Sequence, residues 1–140
     1  MPNQIARMSV RAVAVAVALL SGAPTVHAAH FDSALSGAQI ELEYQRLRAS
    51  HEIKIDTALP WVFSFSGPDS AKVEALSLRL VRDGFRIVSL QTADGVTTLR
   101  VTRTELLTSA ALDRRNHELS KLAATAGVPS YDGADVSALR

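Results

Sequence analysis

An α+β fold, with helices packed on one face of an antiparallel sheet, is what this sequence of 140 residues predicts, and three observations carry the prediction. Aromatic residues alternate with smaller ones at Trp61, Phe63 and Phe65, the period of a strand with one buried face. Asp94-Gly95, two residues that tolerate positive φ, separates two segments of strand character and marks a hairpin. Val73 to Leu80 and Leu112 to Ala126 carry apolar residues at helical spacing. In chain order these give β-α-β-β-α, the order of a ferredoxin-like two-layer sandwich, with one further helix ahead of it.

The first residues stand apart from that unit. Arg7 and Arg11 precede the apolar run Ala12 to Leu20, Gly22 and Pro24 break it, and Val26 and Ala28 place small residues on either side of His27. This is the pattern of an export signal, and the run falls short of the roughly 20 apolar residues that a membrane-spanning helix needs. The sequence therefore predicts a signal over residues 1–28, cleavage after Ala28, and a periplasmic or secreted chain with no stable membrane anchor. Losing residues 1–28 removes two of the 15 Lys and Arg and none of the 14 Asp and Glu, which takes the formal charge from +1 to −1. A near-neutral domain lacks the basic footprint of a nucleic-acid binder. The absence of cysteine excludes disulfides, thiolate metal sites and a cysteine-linked lipid anchor.

Residues 29–37 read as a mobile leader, and residues 38–60 as a helix and connector. Ile40, Tyr44 and Leu47 form one apolar stripe on that helix, able to pack on the domain, on a second copy or on another protein. Ile53 and Ile55 alternate with Glu52 and Lys54 in a short extra strand or an extended link. The main domain spans residues 61–135, with 136–140 as a tail. After the aromatic strand, Pro68 suits the first helical position and Asp69 the positive end of the helix dipole, while Gly84 ends that helix. Phe85 to Gln91 and Val96 to Arg103 flank the hairpin turn, with Leu99 and Val101 on one face and Thr98, Arg100 and Thr102 on a face turned to water. The last helix starts near Thr108 or Ser109 and stops at Gly127-Val128-Pro129. Trp61, Phe63, Phe65, Leu76, Leu80, Phe85, Leu99, Leu119 and Leu122 form the expected core. A fourth strand comes from residues 128–132, from residues 53–56, or is absent.

Nothing in the sequence has the pattern of a catalytic, cofactor or metal site. His30, His51 and His117 match no metal-ligand spacing, and Ser33 to Gly37 lacks the first glycine and the preceding strand of a nucleophile elbow. Arg114, Arg115 and Lys121 make a basic helix face, with Arg114 and Glu118 spaced to pair. Tyr131-Asp132-Gly133 has first of all the chemistry of a tight turn, and also offers an aromatic anchor at a partner-binding edge.

Phe63-Ser64-Phe65-Ser66-Gly67-Pro68, Leu80, Asp83-Gly84-Phe85, Leu119 to Ala123 and Tyr131-Asp132-Gly133 together resemble the RraB family, regulators of ribonuclease E activity, over about residues 61–133. The resemblance implies a small inhibitor that binds a ribonuclease and catalyses nothing. It also implies a tryptophan after the Tyr-Asp-Gly tripeptide, where this chain has Ala134. Ribonuclease E is cytoplasmic in the family picture, so an exported relative needs another protein partner. Three functions are thus in view. The leading one is a non-enzymatic extracytoplasmic binding domain, with Tyr131, Asp132, Gly133, Thr98, Arg100 and Thr102 as its contact residues. The others are inhibition of ribonuclease E, if the chain stays in the cytoplasm, and a small cell-envelope hydrolase.

Overall fold

A computed structural model describes residues 28–138. In chain order these form β1 (Ala28–Asp32), α1 (Gly37–Ser50), β2 (Leu59–Gly67), α2 (Ser70–Arg82), β3 (Arg86–Ala93), β4 (Val96–Glu105), α3 (Ser109–Thr125) and β5 (Ser130–Ser137). The sheet runs β1-β5-β2-β4-β3 and every neighbouring pair is antiparallel. Without β1, the remaining four strands interleave with α2 and α3 as β-α-β-β-α-β, the ferredoxin-like arrangement.

The period-2 pattern of β2 places Leu59, Trp61, Phe63 and Phe65 in the core and leaves Pro60, Val62, Ser64 and Ser66 half-buried on the other face. All three helices cover the first face. Asp69 caps α2 by accepting from Ala71 N and Lys72 N, so Pro68 sits ahead of the helix and not at its first position. Gly84, at φ 97°, closes α2, and Phe85 N donates to Leu80 O at 3.0 Å. Phe85 thereby turns inward, edge-on to Phe63 at 5.7 Å between ring centroids. Thr108 caps α3 as expected. Ile40, Tyr44 and Leu47 of α1 face the domain, and the Tyr44 hydroxyl shares its proton between Ile55 O at 3.0 Å and Leu107 O at 2.8 Å. Ile53 and Ile55 form no strand, but both are buried in the connector.

Two sequence expectations give way here. Residues 29–37 are not a leader throughout: β1 occupies the free edge of β5, with Phe31 fully buried, facing Ala134 and lying 5.8 Å from the Trp61 ring. The fourth strand of the ferredoxin-like unit is β5, which runs past residue 135 to Ser137, so part of the expected tail is strand. The expected core is otherwise present, with Leu122 only partly buried at its margin. The predicted signal, apart from Ala28, lies outside the described residues.

Candidate functional site

The sheet face opposite the helices is floored by small polar side chains. Antiparallel register sets Arg100 of β4 between Ser64 of β2 and Ser89 of β3, and partners share a face. Ser66 and Thr98 face each other one pair further along, as do Val62 and Thr102 on the other side. Thr98 and Thr102 are half-buried, and Thr102 Oγ1 donates to Trp61 O at 2.8 Å. The Arg100 side chain is exposed and has no acidic partner among the described residues. At the β1–β5 end the same face carries His30, whose Nδ1 lies 2.7 Å from Asp135 Oδ1 and whose Nε2 lies 4.0 Å from Asp32 Oδ2. His30 is therefore held on a strand, where a disordered leader was expected. The face is acidic at one end, basic at Arg100 and Arg86, and small and polar between.

Tyr131-Asp132-Gly133 is not a tight turn but the bulged start of β5. Phe65 pairs with Tyr131 and Ser64 with Gly133, so Asp132 is the extra residue of a β-bulge. The tripeptide splits three ways. Tyr131 goes into the core, 5.0 Å from the Phe65 ring, and its hydroxyl donates to Asn116 Oδ1 at 2.5 Å. Burial holds its phenol well above the ordinary range. The Tyr131 side chain is thus occupied inside the domain. Asp132 is exposed and accepts from Ser130 Oγ at 2.8 Å. Gly133, at φ 105°, passes so close to β1 that a Cβ there would collide with Phe31 O and lie 2.8 Å from Ser33 N.

Sequence reasoning missed a second constellation, at the mouth between α2 and α3. Arg115, read as part of a solvated helix face, turns inward and makes a bidentate pair with Glu105, both contacts at 2.8 Å. Its guanidinium lies 5.5 Å from the Phe85 ring and 5.7 Å from Phe63, and Arg103 lies 5.5 Å from Phe85 as well. Arg114 and Glu118 form no ion pair. The cleft there, about 310 Å³, is lined by Phe85, Arg103 and Arg115 with Arg79, Asp83 and Glu118, and Glu105 stands behind Arg115. Its charges are matched by its own residues, since Arg79 reaches Asp83 at 3.2 Å and Arg103 approaches Glu105 at 3.6 Å. The arrangement fixes Phe85 between two guanidinium groups and leaves no net charge for an ionic ligand. Only the spacing from Glu105 to Arg115, across a short loop and about two turns of helix, hinted at it.

His117 Nδ1 lies 2.8 Å from Asp113 O on the exposed side of α3, and His51, at φ 57°, ends α1. Among the described residues no three His, Asp or Glu side chains gather as a metal site. No described helix is long and apolar enough to cross a membrane.

No curated protein matches the chain. The model of the RraB family, regulator of ribonuclease activity B, matches residues 43–136. That stretch takes in the last two turns of α1, the ferredoxin-like unit up to Val136, the Asp83-Gly84-Phe85 corner and the Tyr131-Asp132-Gly133 bulge, and it leaves out β1. Covering well over half of the chain, it shows that the protein belongs to the RraB family.

Proposed function

We propose that this protein is a non-catalytic regulator that acts by binding another protein on the open face of its sheet, and that it does so outside the cytoplasm. The family match carries the reading, because a regulator of ribonuclease activity works through a protein partner. The face suits that use. Arg100 projects from a floor of serine and threonine, and arginine is a favoured interface anchor because its planar fork satisfies carboxylates and carbonyls at once. Asp132, exposed on its bulge, and His30 with Asp135 supply acidic and titratable contacts at the far end. The contact set thus narrows to Thr98, Arg100, Thr102 and Asp132, while Tyr131 and Gly133 shape the strand beneath.

Export rests on Arg7, Arg11 and the apolar run up to the small residues before Ala28. An exported relative cannot reach ribonuclease E, so its partner is a different protein. The family match favours a second reading: the chain stays in the cytoplasm and restrains ribonuclease E itself. Affinity capture from separated envelope and cytoplasmic fractions distinguishes them, using wild type and the folded variants Arg100→Glu and Asp132→Lys. Specific capture from the envelope fraction, weakened at least tenfold by Arg100→Glu, supports the proposal. Capture of ribonuclease E in intact cells replaces it with the second reading, and full retention by both variants moves the binding surface elsewhere.

A further inference from the structure

Register draws one line across the open face of the sheet. Asp32 of β1 pairs with Gly133 of β5, Gly133 with Ser64 of β2, and Ser64 with Arg100 of β4, so these four residues share the face in a row that crosses the strands. Its two ends are exposed and carry opposite charges. Its middle is low, with no side chain at Gly133 and a single hydroxymethyl group at Ser64. The next row stands higher, since His30, Asp135, Val62 and Thr102 are neighbours in the same register. Against that shoulder lies a hollow of about 310 Å³ between Asp135 and Arg100, with Pro60 and Val62 among its lining residues. The row is thus a shallow channel, acidic at one end, basic at the other, with an apolar side wall.

The length and the free groups of the channel say what fits it. Strands lie about 4.8 Å apart, so three spacings separate the ends of the row by about 14 Å. An extended chain rises about 3.4 Å per residue and turns alternate side chains to one side, so its positions i, i+2 and i+4 span the same distance and face the sheet together. Among the described residues Arg100 has no acidic partner and the Ser64 hydroxyl no hydrogen bond. Asp32 Oδ1 accepts from Ala34 N at 2.8 Å, which leaves Oδ2 with His30 Nε2 at 4.0 Å. We infer that the channel takes an extended segment of a partner protein, with an acidic residue on Arg100, an apolar residue two positions along over Gly133 and Ser64 beside Val62, and a basic residue two positions further on Asp32. This names the partner's contact chemistry for the open-face reading above and rests on that reading. A chain's terminal carboxylate is a poorer occupant, because capture of that group uses unpaired backbone N–H groups, and β5, β2 and β4 are interior strands whose backbone is engaged in the ladder. A second copy is poorer too, since two such faces would set one low floor over another and leave a void between them.

Selection of random dodecapeptides, displayed on phage, against the purified protein tests it. The expected result is enrichment of sequences with acidic, apolar and basic residues at alternate positions, in either chain direction. The exposed substitution Arg100→Glu should enrich sequences with a basic residue in place of the acidic one. Asp32→Asn, which keeps an acceptor for Ala34 N, should lose the preference for the basic residue. A peptide from the wild-type pool should bind folded Arg100→Glu at least tenfold more weakly. Pools without that spacing, or pools that neither variant changes, overturn the inference, and so does a wild type that sediments as two chains and binds none of the peptides. Envelope capture separates this failure from failure of the reading beneath it. Capture weakened by Arg100→Glu, alongside an unpatterned pool, sinks only the spacing inferred here, whereas capture that Arg100→Glu and Asp132→Lys both leave intact removes the open face as the binding surface.

Discussion

At the scale of single residues, the strongest constraint lies where β1 crosses β5. Gly133 has no room for a Cβ beside the Phe31 carbonyl, whereas Gly95, at φ 76° in the hairpin turn, has nothing within 4 Å of its missing Cβ. Gly95→Ala therefore costs only the left-handed conformation, about 1 to 2 kcal/mol. Gly133→Ala adds a backbone collision, and its midpoint in urea unfolding is expected well below that of Gly95→Ala. Ala134 beside it is fully buried between Phe31 and Phe63, its partners on either strand. Tyr131 and Tyr44 are the chain's two tyrosines, and burial first of all raises both phenols. Their deprotonation is then easier in the unfolded chain, so their contribution is intact below the ordinary phenol value of 10.0 and is lost as pH climbs beyond it. Phenolate absorbance is expected to rise only together with loss of the near-ultraviolet signal of Trp61. Ionisation of both tyrosines near their ordinary value in a chain that keeps its fold would contradict their placement.

At the scale of elements, β1 is where chain pattern and fold part company. Five residues with one aromatic, next to a small-residue run, carry too little periodicity to be read as a strand; tertiary context, in the form of the open edge of β5, supplies what local pattern lacks. The hairpin and the existence of α2 were legible because turn chemistry and helix-end signals are local: Asp94-Gly95 at positive φ needs no distant partner, and Asp69 marks the start of α2, though as its N-cap and not within its first turn. Asn116 and Arg115 were not legible, since a polar residue within a buried stripe and a cation folded onto phenylalanine both depend on partners far along the chain. The Tyr131-Asp132-Gly133 motif was recognisable as a sequence and misread as a turn, because its bulge exists only against Ser64 and Phe65 of β2. If β1 belongs to the domain, Phe31→Ala should lose about 3 to 5 kcal/mol in denaturant unfolding, as for other buried phenylalanines. Phe63→Ala provides the reference at the centre of the sheet, and a Phe31→Ala variant as stable as wild type would return β1 to the status of a leader.

For the whole molecule, β1 ties the fold to the proposed route out of the cytoplasm. Cleavage after Ala28 leaves Ala29 to Asp32 on the mature chain, and with them Ala29 and Phe31, the two side chains that β1 turns into the core. Processing four residues later would strip Phe31 from Trp61 and expose the edge of β5, which pairs with β1 through Gly133, Ala134 and Val136. On the proposed export, cleavage would have to precede the closing of β1 onto β5, because a peptide bond held in a strand is not accessible to a signal peptidase. Three outcomes follow for the expressed protein. Intact mass of the envelope fraction should correspond to a chain beginning at Ala29. That species should melt within a degree or two of one beginning at Ala28. A chain beginning at Ser33 should melt many degrees lower, since losing one buried aromatic and an edge strand is large against the 5 to 15 kcal/mol that holds a domain of this size together. Recovery of an uncleaved, folded cytoplasmic chain would instead mean that the N-terminal residues are not an export signal, and would leave ribonuclease E within the protein's reach.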